Sequence, residues 1–254
     1  DSSTSRGLGD VYKRQDKTCT QIQIYCDNRL IAAHKGVNDM KSILLIGLGR
    51  FGRNTAKKLS ETGVDVLAVD KNEDNVNKTL EYVSLAQIGD STNSDFLKSL
   101  GIRNFDVCIV AIGDDFQSSL ETTSLLKELG ANHVVSRASS ERQAKLLLKI
   151  GADEIVYPEK QLADWTAIRY GSNNIFNYIE LTPEYSIYET AIPADWLGKS
   201  ILELDARKKY AVNILATKEN GKINPIVLPS TVLTRDMTLL VLGAYKNVKK
   251  CFKI

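Results

Sequence analysis

The sequence predicts an α/β fold, a doubly wound parallel sheet followed by a small α+β unit, on three observations. A continuous apolar run, Ile43 to Ile46, leads at once into Gly47-Leu48-Gly49-Arg50-Phe51-Gly52. A helical pattern follows, and then a second apolar run that ends in Asp70. Apolar runs go on alternating with helical stretches as far as Tyr157, after which the pattern changes.

Each element has a local reason. Ile43 to Ile46 offers no polar face, as expected for a strand covered on both sides. Phe51, Thr55, Ala56 and Leu59 fall on one side of the next helix, with Arg53, Asn54, Lys57 and Lys58 on the other. Thr62-Gly63 stops it. Val64 to Val69 is the second strand, closed by Asp70. Further strands are expected at Val83–Ile88, Asp106–Ala111, Val134–Arg137 and Ile155–Tyr157. A long helix is expected from about Asp115 to Leu129, and another through Leu146-Leu147-Leu148. Six strands alternating with helices make a Rossmann-type sheet.

The glycine spacing carries the chemistry. Gly47 permits a tight turn, Gly49 lets backbone N–H groups approach a pyrophosphate, and Gly52 lets helix and strand pack closely. The helix that opens there presents unpaired N–H donors and a positive dipole end to an anion. Asp70 can accept both ribose hydroxyls, and its charge disfavours a 2′-phosphate, hence NADP. Ligands of such sheets bind beyond the carboxyl ends of the strands. The candidate lining is therefore Gly47, Leu48, Gly49, Arg50, Phe51, Gly52, Asp70, Lys71, Asp90, Ser91, Ile112, Gly113, Arg137 and Glu159.

After Ser172-Asn173-Asn174 short strands dominate: Asn177–Leu181, Ser186–Ile192, Val212–Thr217, Ile223–Leu228 and Met237–Leu242. Glu219-Asn220-Gly221 is a hairpin signal, and one helix is expected at about Ser200–Lys208. The organisation read from the sequence is thus a nucleotide-binding domain over 40–175 and a small α+β domain over 176–254. Residues 1–39 read as a leader foreign to the fold. Asp1 to Gln15 lacks hydrophobic periodicity, Asp10-Val11-Tyr12-Lys13-Arg14-Gln15 resembles translated adapter sequence, and the strand pattern starts only after Met40.

Composition excludes several classes. A net charge of +2 over 254 residues calls for no nucleic-acid partner. No apolar run approaches the ~18 residues that cross a bilayer. The four cysteines, Cys19, Cys26, Cys108 and Cys251, form no CxxC pair and read as buried thiols. The only histidines, His34 and His133, leave little for a histidine metal site or a catalytic triad. His133 sits in a strand-like run and reads as a packed or edge residue.

From Met40 onward the chain resembles the regulatory subunits of bacterial Ktr/Trk potassium-uptake systems, the RCK (or KTN) family. The resemblance rests on Ile46 to Gly52, Leu67 to Glu73, Leu100 to Asp106, Val110 to Gly113, Lys149 to Asp153 and Tyr157-Pro158-Glu159-Lys160. In the second domain it rests on Gly198 to Ile201 and Asp236 to Gly243. It implies an RCK N-lobe that binds ATP/ADP or NAD(H) and an RCK C-lobe. It implies a homodimer built into an octameric ring, cytoplasmic and docked under a membrane potassium channel subunit. It further implies Mg2+ or another cation at Glu159, and cyclic di-AMP in the C-lobe near Ile201, Leu202 and Arg207. One departure is Asn93, which stands where relatives carry an acidic residue. Two rival readings stay open: an NAD-dependent oxidoreductase, for which Tyr245 and Lys249 have the Tyr-x-x-x-Lys spacing by chance, and an RCK regulator of another cation transporter.

Overall fold

The protein is described by a computed structural model covering residues 40–83 and 85–252. The reading of 1–39 as a foreign leader, with Cys19, Cys26 and His34, lies outside the described residues. The chain forms two compact units that divide between Pro158 and Glu159. The sequence reading draws the boundary after 175 instead. The difference is one helix, Pro158–Tyr170, whose Trp165 and Ile168 pack on the second unit's core.

The first unit alternates strands and helices. Its strands are β1 (Ser42–Ile46), β2 (Asp65–Asp70), β3 (Leu85–Ile88), β4 (Val107–Val110), β5 (Val134–Arg137) and β6 (Glu154–Val156). Its helices are α1 (Arg50–Glu61), α2 (Glu73–Thr79), α3 (Ser94–Ser99), α4 (Phe116–Glu128) and α5 (Glu141–Lys149). The sheet order is β3-β2-β1-β4-β5-β6, and every pairing is parallel. β1 shows why its run is wholly apolar. Leu44 and Ile46 enter a core with Val69, Cys108 and Leu126, whereas Ile43 and Leu45 enter the opposite one with Leu48, Ala56 and Ala68. A fully buried side chain of this kind contributes about 1.5–3 kcal/mol, so both faces anchor the strand. The order reverses at β1, which puts the loops after β1 and β4 on either side of a crevice.

The second unit holds α6 (Pro158–Tyr170), β7 (Ile175–Glu180), β8 (Tyr185–Ala191), α7 (Ile201–Leu204), α8 (Ala206–Tyr210), β9 (Asn213–Glu219), β10 (Lys222–Asn224), β11 (Met237–Ala244) and α9 (Tyr245–Phe252). Its antiparallel sheet runs β10-β9-β11-β8-β7. Asn220 and Gly221 both take positive φ, 49° and 77°, and close the β9–β10 hairpin as the sequence signals.

Three details depart from expectation. The helix expected over Ser200–Lys208 is broken by Asp205, which is left-handed at φ 47°. The break lets Leu204 and Ala206 both face the core; in one unbroken helix, residues two apart point away from each other. The strand expected to reach Leu228 ends at Asn224, because Pro225 has no N–H for the ladder. Finally, α9 follows β11 directly and buries Val248, Cys251 and Phe252.

Candidate functional site

The loop after β1 is shaped by glycine. Gly47 adopts φ +90°, and its N–H donates to the Val69 carbonyl at 2.8 Å. A Cβ at Gly47 would lie 2.9 Å from the Ile112 nitrogen, so this turn and the loop after β4 are in close contact. A Cβ at Gly52 would run into the Gly47 carbonyl oxygen and approach Ala111 Cβ at 3.4 Å. Gly52 is therefore the residue that lets α1 press against the sheet. Gly49 differs: φ is −63° and nothing lies within 4 Å of a Cβ built there. A side chain there would meet open space.

The start of α1 is also chemically open. Asn72, Asn93, Asp115 and Ser140 cap α2, α3, α4 and α5 with their side chains. At α1 the cap is Gly49, which has no side chain to offer. Among the described residues no side chain caps the first-turn N–H donors of this helix, which begins at the carboxyl edge of the sheet. No acidic residue stands in its first turn either.

Asp70 closes β2 beside this loop. Its Oδ2 accepts the Leu48 N–H at 2.6 Å and the Asn75 side-chain amide at 3.3 Å. Its Oδ1 accepts the Asn72 N–H at 2.8 Å. The other sequence-predicted residues of this unit gather at the same carboxyl edge. Arg137 lies with its guanidinium 5.5 Å from the Phe51 ring centroid, and it fills the space where a Gly113 side chain would stand. Lys71 Nζ lies 3.5 Å from the Asp115 carboxylate. Asp90 accepts the Thr92 N–H and hydroxyl at 2.9 and 2.8 Å, and these bonds hold its carboxyl below the usual range. Asp115 is lowered likewise by the Ser118 hydroxyl and N–H. Asp90 and Asp115 thus lie near one another, with Lys71 close to both. Arg50 is exposed at the start of α1. Ser91 is buried and shares a 2.8 Å hydrogen bond with Thr122. Ile112 is half-buried beside the glycine turn. Glu159 sits in the first turn of α6 and belongs to the second unit.

Some site residues were not singled out from the sequence. Asn72 and Asn75 support Asp70, and Arg53 in turn bonds Asn75, Nη1 to Oδ1, at 3.2 Å. Asn72, two residues after the aspartate, is a recognisable turn residue. Asn75 and Arg53 are polar residues on two successive helices and carry no such signal. Asn93, the departure noted above, caps α3 by accepting the Asp95 and Phe96 N–H groups.

In the C-terminal unit, Ile201 packs on the core, Leu202 is exposed, and Arg207 Nε donates to Asn213 Oδ1 at 2.6 Å. The buried thiol of Cys108 is pushed up to about 12 by desolvation, as is that of Cys251. His133 precedes β5 at the amino-terminal edge of the sheet, half-exposed and 3.9 Å from the Asp153 carboxylate. Among the described residues no group of three or more His, Cys, Asp and Glu side chains could hold a metal ion. None of their helices is long and apolar enough to cross a membrane.

This strand order, with an uncapped helix after a glycine turn at the switch point, defines the class of Rossmann-type nucleotide-binding domains; here one is joined to a small antiparallel-sheet domain. The TrkA-N domain model matches residues 43–158, and the TrkA-C domain model matches 187–254. The Ktr system potassium uptake protein C of Bacillus subtilis (strain 168) is 42% identical over 210 residues, 83% of this chain and 95% of that protein. Two solved structures share the fold. The crystal structure of the GsuK RCK domain has a TM-score of 0.59 at 19% identity, over 85% of this chain and 48% of that one. The GsuK channel bound to NAD has a TM-score of 0.62 at 19% identity, over 84% of this chain and 39% of that one. This chain thus spans less than half of either solved chain. The chain belongs to the Ktr/Trk potassium-uptake family built from TrkA-N and TrkA-C domains.

Proposed function

We propose that the chain is the nucleotide-sensing regulatory subunit of a membrane potassium channel, working at the cytoplasmic face. The observation that carries the reading is the uncapped N-terminus of α1, opened toward the crevice by Gly49. Backbone donors and a helix dipole at that position suit a phosphate chain. Asp70 suits a ribose with free hydroxyls, so the ligand is ATP, ADP or NAD(H). Gly47, Leu48, Gly49, Arg50, Phe51 and Gly52 form the phosphate side, with Ile112, Gly113 and Arg137 across the crevice. Lys71, Asp90 and Ser91 border the ribose side.

Binding, rather than turnover, is the role. Hydride transfer needs a placed acid or base, and His133 stands at the opposite edge of the sheet from the loop. Tyr245 and Lys249 lie on α9 of the other unit. An octameric ring of homodimers, a cation at Glu159 and cyclic di-AMP near Ile201, Leu202 and Arg207 are parts of the reading supported by the resemblance. Titration calorimetry of the whole chain with ATP, ADP and NADH tests the core of it. Saturable binding of at least one, abolished by Gly49→Ala, is the expected result; no heat with any of them refutes it.

A further inference from the structure

We propose that Arg53 and Asn75 are positioning residues for the nucleotide ribose, orienting Asp70 through one side-chain amide. The proposal rests on the nucleotide reading above and assigns two residues to it. Asn75 stands between opposite charges. Its Oδ1 accepts from Arg53 Nη1 at 3.2 Å, and its Nδ2 donates to Asp70 Oδ2 at 3.3 Å. A guanidinium only donates, and an ionised carboxylate only accepts. The amide can satisfy both in one orientation alone. Arg53 therefore fixes the amide, and the amide fixes one edge of the carboxylate.

The consequence lies on the other edge. An ionised carboxylate has about four acceptor positions. Leu48 N–H and Asn75 Nδ2 occupy Oδ2, and Asn72 N–H takes one position on Oδ1. The position left is on Oδ1, room for one ribose hydroxyl rather than the two expected from the sequence, and the Asn75 amide adds to the Leu48 and Asn72 N–H bonds in holding the carboxylate's orientation. Arg53, Asp70 and Asn75 are each half-buried, so the network is neither fully solvated nor sealed. Thr79 Oγ1 holds the Asn75 carbonyl at 2.8 Å, and Asn72 Oδ1 holds its N–H at 3.2 Å. The backbone under the amide is thus fixed by bonds that the side chain does not make.

The test uses hydroxyl preference as its readout. ADP, 2′-deoxy-ADP and 3′-deoxy-ADP are titrated calorimetrically into the parent chain, Asn75→Leu and Arg53→Leu. In the parent, loss of the hydroxyl that meets Asp70 costs roughly tenfold or more in affinity. In Asn75→Leu that preference falls to about threefold or less, while the affinity for the deoxy nucleotide changes far less and the fold, read by circular dichroism, is kept. Arg53→Leu gives an intermediate preference, and Arg53→Gln, which keeps a donor for Asn75, restores the parent's. Undiminished hydroxyl preference in Asn75→Leu overturns the proposal. So does an equal weakening of all three nucleotides, which marks a merely structural residue. A parent chain that binds none of the three overturns the nucleotide reading itself and the relay with it.

Discussion

Asp70 at the end of β2 accepts the backbone N–H of Leu48, in the loop after β1, at 2.6 Å. One carboxylate thus holds the glycine turn while standing where a ribose is expected. Replacing it by alanine removes both functions. Asp70→Ala is expected to weaken nucleotides with free ribose hydroxyls by roughly ten- to a hundred-fold. It also leaves the Leu48 N–H without its partner, a cost of about 1–3 kcal/mol. Calorimetry and urea unfolding measure the two effects separately, and parent-like affinity for ATP, ADP and NAD refutes the ribose assignment.

Gly49 and Gly52 predict opposite phenotypes for the same substitution. At Gly52 a methyl group meets the Gly47 backbone, which has no room to yield. Gly52→Ala should lose about 1–3 kcal/mol of stability, or more, through overpacking. Gly49→Ala meets nothing at a φ of −63°, so it should melt with the parent and yet bind phosphate-bearing ligands poorly. If thermal melts and titrations show Gly49→Ala binding as the parent does, the open space at α1 is not the phosphate site.

The first unit was legible because its physics is local. Strands covered on both faces must be apolar throughout, and Ile43 to Ile46 shows this directly in two opposite cores. Gly47 and Gly52 were legible because each does something no side chain permits, a positive φ at one and a close helix–strand approach at the other. The second unit was read less well. Asp205 breaks a helix for reasons of core facing that only the tertiary packing reveals. α9 carries Val248, Cys251 and Phe252 at helical spacing, but the stretch is short and follows a strand with no intervening turn signal. Arg53 and Asn75 were not legible at all, since polar residues on two helices meet only once those helices dock beside Asp70.

Asp153 provides a pH test. Desolvation raises its carboxyl, but the Val134 N–H bond, Lys127 and His133 together outweigh this and leave it lowered. A lowered folded-state value means that its stabilisation is fully present above the unfolded carboxylate range, near pH ~4, and is lost as pH falls through the lowered value. The melting-temperature gap between parent and Asp153→Asn should narrow as pH falls below ~4. A gap that widens as pH falls below ~4 contradicts this.

The buried thiols make a reactivity prediction. With its thiol pushed up to about 12, Cys108 holds almost no thiolate near neutrality. Iodoacetamide at pH 8 should leave Cys108 and Cys251 unmodified in the native protein and modify both in urea, as read by peptide mass mapping. Rapid native labelling of Cys108 would show that β4 is not sealed as described.

Arg50 is exposed beside the first turn of α1, and a guanidinium there suits a terminal phosphate. Arg50→Ala is expected to narrow the preference for ATP over ADP while leaving ADP affinity largely intact; equal discrimination by parent and variant removes Arg50 as the sensor.

Nucleotide occupancy of this site is proposed to set the activity of a potassium channel. It is tested most directly by potassium flux into vesicles bearing the membrane subunit that co-purifies with this chain, with and without the chain, under ATP, ADP or no nucleotide. A ligand shifts a gate only through its differential affinity for the two states. The predicted result is flux that depends on which nucleotide is present, only when the chain is present, and loses that dependence with Gly49→Ala. Flux indifferent to nucleotide at saturating concentrations, with the chain bound to the channel, would rule out nucleotide gating by this chain.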